Sequence, residues 1–164
     1  MNDVFALVLT LLIHEAGHIA VMAACGVPVL GIGARAGGLR LYSRADSLPY
    51  GKAAFVYAGG AAANLLSAAL FFRVTVFAAF SVGAAVFNLL PLPGSDGEMI
   101  LSAILSRQFD TPELAFRIVR AVSDFFVFAF WCAAVYLGLV GRGSMTMLVF
   151  AIGLVIFRLG ERAE

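Results

Sequence analysis

Three ionisable side chains interrupt an apolar segment near the start of the chain: His14, Glu15 and His18 lie in the stretch LLIHEAGHIA, residues 11–20. A charge in hydrocarbon costs roughly 2.5–3.5 kcal/mol on insertion scales, so such residues usually serve a function. On an α-helix, His14 and His18 share one face, and both imidazoles can bind a single metal ion. Glu15 lies about 100° around the helix from His14, where it can act on a water molecule without binding the metal. The spacing predicts a two-histidine metal site with an adjacent general base.

The same three residues have two chemical interpretations. His-Glu-x-x-His is the arrangement of zinc metalloproteases, in which the glutamate is the general base. Ionisable groups within a membrane also serve as proton or ion relays, so a metal- or proton-coupled transporter is the alternative. Transporters normally contain inverted repeats, and the sequence shows no internal repeat. The metal site is therefore the favoured hypothesis.

A site with two histidines and a water molecule needs a third protein ligand. The acidic residues near apolar segments are Asp96, Glu98 and Asp124. Asp96 follows two prolines in NLLPLPGSDGE, residues 88–98, and we expect it at the cap position of a helix that starts at Gly97. Irregular backbone at membrane depth is tolerated where it is buried in protein or lines a cavity, although a Pro-Gly pair can also simply end a helix. The residues alone leave the choice of ligand open.

The composition predicts an integral membrane protein. Of 164 residues, 62% are hydrophobic and only 13% are charged, whereas a soluble domain has about 25% charged residues. The net charge of +1 provides no basic face for nucleic acid. Cys25 and Cys132 form neither zinc-finger spacing nor a disulfide framework.

Five apolar runs have about the length of membrane helices, for which about 20 residues are needed. The last is shorter and flanked by Arg142 and Arg158, so it either crosses with its arginines snorkelling to the interface or lies shallowly. The predicted segments are Val4–Ala24, Ala53–Phe72, Val74–Leu92, Ala121–Val140 and Ser144–Leu159.

Two connections carry further information. Residues 29–44 are rich in glycine, and Gly37-Gly38 supplies the positive φ angles of a tight turn, so a β-hairpin is predicted. Residues 98–120 are predicted to form a helix on the cytoplasmic side and a link, with a helix start at Thr111-Pro112-Glu113.

The distribution of Lys and Arg predicts the orientation in the membrane. With the N-terminus outside, only Arg73 and Arg142 of the 11 basic residues also lie outside. We therefore expect an outside N-terminus and a cytoplasmic C-terminus. The basic residues placed inside are Arg35, Arg40, Arg44, Lys52, Arg107, Arg117, Arg120, Arg158 and Arg162.

Taken together, these motifs resemble the site-2 protease family of intramembrane zinc metalloproteases. Residues 14–18 match its His-Glu-x-x-His motif, and residues 88–97 match its Asn-x-x-Pro-x-x-x-x-Asp-Gly motif. Gly60 and Asn64 resemble its Gly-x-x-x-Asn element. The match covers residues 11 to about 100, the three-helix core of the family. It differs at Ala61, where many members have proline, and at Glu98, which adds a carboxylate near the site.

The resemblance implies a role for each matching residue. His14, His18 and Asp96 would bind one Zn²⁺ per chain, and Glu15 would activate water. Asn88 and Asn64 would hold the substrate or polarise its carbonyl group. The hairpin resembles the one thought to pair with an unwound substrate. Partners would be a membrane-tethered protein substrate, the lipid bilayer and a membrane inhibitor protein, with no nucleic acid.

The resemblance also implies the architecture and the setting. We expect an all-α polytopic membrane protein with one metalloprotease domain, residues 1–164. It would have a three-helix core in residues 1–100, about two further transmembrane helices in residues 101–164, and a small membrane-associated β-hairpin. The early motif and the extra helices are most similar to the stage IV sporulation protein FB branch, which implies a bacterial cell membrane and regulated proteolysis of a precursor sigma factor.

Overall fold

A computed structural model of the chain describes residues 2–35, 38–43, 48–109, 111–141 and 145–163. The described part is mainly helical, as expected, and contains six helices and one pair of strands. In chain order the elements are α1 (Asp3–Ala24), β1 (Val29–Arg35), β2 (Gly38–Ser43), α2 (Tyr50–Leu70), α3 (Thr75–Leu89), α4 (Asp96–Gln108), α5 (Pro112–Leu139) and α6 (Met145–Ala163).

Three of the described helices, α1, α2 and α5, are long and apolar enough to cross a membrane, and α3 and α6 are shorter apolar helices. The chain is therefore a membrane protein by the length and composition of its helices. The third predicted segment, Val74–Leu92, is too long at its C-terminal end, because α3 stops at Leu89 and Leu90 is extended. Pro91 explains the early end, since the residue before a proline is disfavoured in helical conformation.

The C-terminal helices differ from their predicted bounds. The helix start at Thr111-Pro112-Glu113 is confirmed, with Pro112 in the first turn of α5. The prediction that the fourth helix begins at Ala121 is therefore wrong, since α5 has 28 residues and is about 42 Å long. Arg158 does not snorkel, because its side chain is buried and its Nε donates to Asp124 Oδ1 at 2.6 Å. Arg142 lies outside the described residues.

The two strands pair antiparallel as a hairpin between α1 and α2. Ile32 lies opposite Leu41 in the register, and the pairing is irregular between Val29 and Gly31. The predicted turn is described only at Gly38, which begins β2, because Gly37 lies outside the described residues.

Helix α1 packs against α2 with the two backbones in contact. A Cβ atom built on Gly59 would lie 2.8 Å from the carbonyl oxygen of Gly17, and one built on Gly17 would overlap the carbonyl oxygen of Gly59. Small residues permit this approach, as in other pairs of membrane helices. On α1, the hydroxyl of Thr10 lies 3.4 Å from the hydroxyl of Ser81 on α3. The histidine-bearing helix is thus held from two sides.

Candidate metal centre

The side chains of His14, His18 and Asp96 converge between α1 and the start of α4. Asp96 Oδ2 lies 2.9 Å from Nε2 of His14 and 3.3 Å from Nε2 of His18. The two Nε2 atoms are 3.2 Å apart. Both histidines are buried, and Asp96 is half-buried. The structure therefore brings together the three residues that the sequence predicted as ligands.

The hydrogen bond of His18 shows which of its ring nitrogens carries a proton. Nδ1 lies 2.8 Å from the carbonyl oxygen of Val56, which can only accept a hydrogen bond, so Nδ1 must donate. In the neutral ring, Nε2 then presents a lone pair toward the other two ligand atoms. Asp96 Oδ2 is buried and lies within 3.3 Å of both Nε2 atoms. A positive charge shared among these atoms, carried either by a proton on Nε2 of His14 or by a bound metal ion, would stabilise this arrangement.

The distances also fit a tetrahedral ion. With metal–ligand bonds of about 2.0–2.1 Å, the ligand atoms of a tetrahedral zinc site are about 3.3–3.4 Å apart. The three separations measured here, 2.9, 3.2 and 3.3 Å, need little adjustment to reach that value. Two nitrogens and one carboxylate oxygen form a donor set typical of catalytic zinc, with a fourth position open.

Gly60 on α2 makes room for the two rings. A Cβ atom at this position would lie 2.6 Å from Nε2 of His14 and 2.5 Å from Nε2 of His18. The ring nitrogens therefore rest directly against the backbone of α2, and no larger residue fits without displacing them. Gly60 is the glycine that resembles the first residue of the Gly-x-x-x-Asn element, and the close contact with the two rings gives a physical reason for a glycine there.

A capped helix start fixes the position of Asp96. Ser95 is the N-cap of α4: its Oγ accepts from Glu98 N at 3.3 Å and donates to the carbonyl oxygen of Leu90 at 2.6 Å. The expectation that Asp96 is the cap is wrong, because the serine hydroxyl can satisfy the backbone in both directions. Asp96 is instead the first helical residue, where its charge is favourable to the helix dipole. Gly97 lets this turn pack on the backbone of Leu89.

The two other candidate carboxylates face away from the metal centre. Glu98 is buried, with Oε2 accepting from Gly94 N at 2.8 Å and Oε1 accepting from the Ser123 hydroxyl at 2.9 Å. Asp124 pairs with Arg158, whose Nη1 also lies 3.7 Å from Glu98 Oε1. Neither carboxylate belongs to the metal-binding group found among the described residues. Glu98 and Asp124 instead link the loop before α4 to α5 and α6.

The remaining predicted site residues are Glu15, Asn64 and Asn88, and their surroundings differ. Glu15 is half-buried on α1, beside the ligand His14. Asn64 is fully buried, with Nδ2 3.2 Å from Nδ1 of His14. Asn88 is half-buried near the end of α3, and its Nδ2 donates to the carbonyl oxygen of Ala84 at 3.0 Å. Asn64 therefore contacts the other ring nitrogen of His14, the one that does not face Asp96.

Sequence reasoning missed several supports of the site. Ser95 and Glu98 form the Ser-x-x-Glu pattern of a helix start, which was a readable signal. The acceptor for His18 is the backbone carbonyl of Val56, and because every residue has such a carbonyl, the sequence gives no signal for this contact. Arg158 was read as a flanking charge, although its partners lie on α4 and α5.

Protein-family models and curated proteins identify no relative of this chain. No family model matches it, and no curated protein matches its sequence. The function must therefore be argued from the residues and their geometry.

Proposed function

We propose that this chain is an intramembrane zinc metalloprotease that hydrolyses peptide bonds of membrane-tethered proteins. The observation that carries the proposal is the convergence of His14, His18 and Asp96 beside Glu15. Their ligand atoms all lie within 4.8 Å of one another, and the two histidines are on α1, a helix apolar enough to cross a membrane. The motif resemblance to site-2 proteases names the same residues, and the donor set fits zinc.

Zinc held by three protein ligands supplies a Lewis acid with an open position, where it acidifies water and polarises a carbonyl group. Glu15 follows a ligand along α1 but is not itself in the metal-binding group. Its carboxylate takes the proton of the attacking water and gives it to the leaving amine. Val56 and Gly60 keep the two histidines in place while this occurs.

The depth of the site determines which substrates it can reach. About ten apolar residues precede His14, and at 1.5 Å per residue the ligand lies about 15 Å from the start of the helix, near the bilayer midplane. A peptide bond at that depth belongs to a membrane-embedded segment. We propose an outside N-terminus and a cytoplasmic C-terminus, with water reaching the site from the cytoplasm and a precursor sigma factor as one candidate substrate.

The experiment is proteolysis of membrane-tethered peptides by the purified protein in liposomes, with zinc measured on the same preparation. The parent should bind one zinc per chain and cleave at least one peptide, and a chelator should stop cleavage. Glu15→Gln should keep zinc and lose cleavage, because an amide cannot accept the proton. Glu113→Gln, at an exposed glutamate of α5, is the matched control and should behave as the parent.

Two results would contradict the proposal. Cleavage by Glu15→Gln at the parent rate would remove Glu15 as the base. Zinc binding without hydrolysis of any tethered peptide, together with metal or proton flux across the liposome membrane, would favour the transporter.

A further inference from the structure

Asn64 is a fully buried polar side chain beside the metal centre. It lies on α2, one turn after Gly60, and its Nδ2 is 3.2 Å from Nδ1 of His14. Its Oδ1 is buried and has no hydrogen-bond partner among the described residues. An unsatisfied buried amide oxygen costs about 1–3 kcal/mol, so this arrangement needs an explanation.

The chemistry of His14 supplies that explanation. Its Nε2 is the atom directed at Asp96 and at His18 Nε2. A neutral imidazole that uses Nε2 as a metal ligand carries its proton on Nδ1. With the NH₂ group of Asn64 toward the ring, two donors would face each other across 3.2 Å. The two ends of a carboxamide have nearly the same shape, and a half-turn exchanges them without moving other atoms.

We propose that Asn64 is a positioning residue whose Oδ1 accepts a hydrogen bond from Nδ1 of His14 and fixes this ring in its metal-binding tautomer. This inference rests on the proposed metal site. The half-turn pairs Oδ1 with the ring N–H and moves the NH₂ group to the position that Oδ1 leaves, so the decisive gain is that two donors no longer face each other. Asn64 would accept the Nδ1 proton of His14, as the carbonyl oxygen of Val56 accepts that of His18, so α2 supplies the hydrogen-bond acceptor for both histidines. Such partners orient a ligand and raise its basicity, and their loss typically lowers metal affinity 10- to 100-fold.

Substitutions at position 64 separate this role from simple packing. Asn64→Leu keeps the shape without an acceptor and should weaken zinc binding 10- to 100-fold in a competition assay with a chelator. Asn64→Asp restores an acceptor and should bind zinc at least as tightly as the parent. Ser67→Ala is the matched control: it removes a buried hydroxyl from the same helix, one that bonds the backbone oxygen of Asn64, and should leave zinc affinity unchanged.

A second measurement needs no substitution in α2. The chain has two histidines, and in ¹⁵N-histidine NMR of the zinc-loaded protein the couplings of the ring nitrogens to the carbon-bound ring protons distinguish Nδ1 from Nε2 in each ring. Both rings should carry the proton on Nδ1. Zinc bound through Nδ1 of His14, or an Asn64→Leu protein with the parent's zinc affinity, would overturn the inference while leaving the metalloprotease intact. A parent that binds no zinc would overturn the proposed function itself, and with it this inference.

Discussion

Replacing Gly60 with alanine tests whether the two rings must lie against the backbone of α2. The added Cβ would lie 2.6 Å from Nε2 of His14, whereas an ordinary carbon contact is about 3.5 Å. The ring must therefore retreat by about 0.9 Å, while metal–ligand distances tolerate only about 0.2 Å. Without metal a ring can retreat by lengthening its hydrogen bond to α2, whereas zinc holds both rings within the smaller tolerance, so most of the strain falls on the zinc-bound state. Overpacking of about 1–3 kcal/mol corresponds to roughly 5- to 160-fold weaker zinc binding.

The assay is zinc competition in detergent micelles, with cleavage measured in parallel. Gly83→Ala on α3 is the matched control, because a Cβ at that position meets nothing within 4 Å. Both variants gain up to about 1 kcal/mol of helix propensity, so their folded states should be comparably stable. Only Gly60→Ala should lose zinc affinity. If Gly60→Ala binds zinc as tightly as Gly83→Ala does, the described position of the rings against α2 is incorrect.

Three further predictions concern the hairpin, the third ligand and the topology. Ile32 and Leu41 lie opposite each other in the hairpin, and proline at either position should reduce cleavage while zinc stays bound, because an added substrate strand needs the backbone N–H groups. If neither proline affects cleavage, the hairpin is only a connector. Asp96→Asn should lose zinc, whereas Glu98→Gln should keep it and lower thermal stability; the opposite zinc result would move the ligand to position 98. A cysteine at Ser106 in an otherwise cysteine-free protein should resist an impermeant reagent applied outside intact cells, and rapid labelling there would reverse the proposed orientation.

The sequence predicted the apolar helices and the three side chains that converge, because both depend on local or strongly constrained patterns. An apolar run of about 20 residues and an i, i+4 pair of histidines can each be read without tertiary structure. Asp96 was reached through a motif, and its exact place in α4 was misjudged by one position. That error arose because Ser95 and Asp96 are both good capping residues, and contacts with Leu90 and Leu92 decide between them.

Contacts between distant helices could not be predicted in the same way. Gly60 was noticed only as part of a motif, since no pattern indicates that two imidazoles from another helix will lie on it. Arg158 illustrates the same difficulty, because an arginine near the end of an apolar run usually reaches for the interface. Its burial follows from partners that the chain brings together only when α5 and α6 pack, and Asp124 is one of them.

The bonds of Glu98 bear on how the protein is assembled during synthesis. This buried carboxylate joins Gly94, in the loop before α4, to Ser123 on α5, and it lies near Arg158 on α6. Both α5 and α6 follow the candidate metal centre in the chain. A nascent chain that has inserted only α1 to α4 lacks both of these supports for the loop. The position of the loop before α4 therefore depends on helices that are synthesised after every residue of the candidate metal centre.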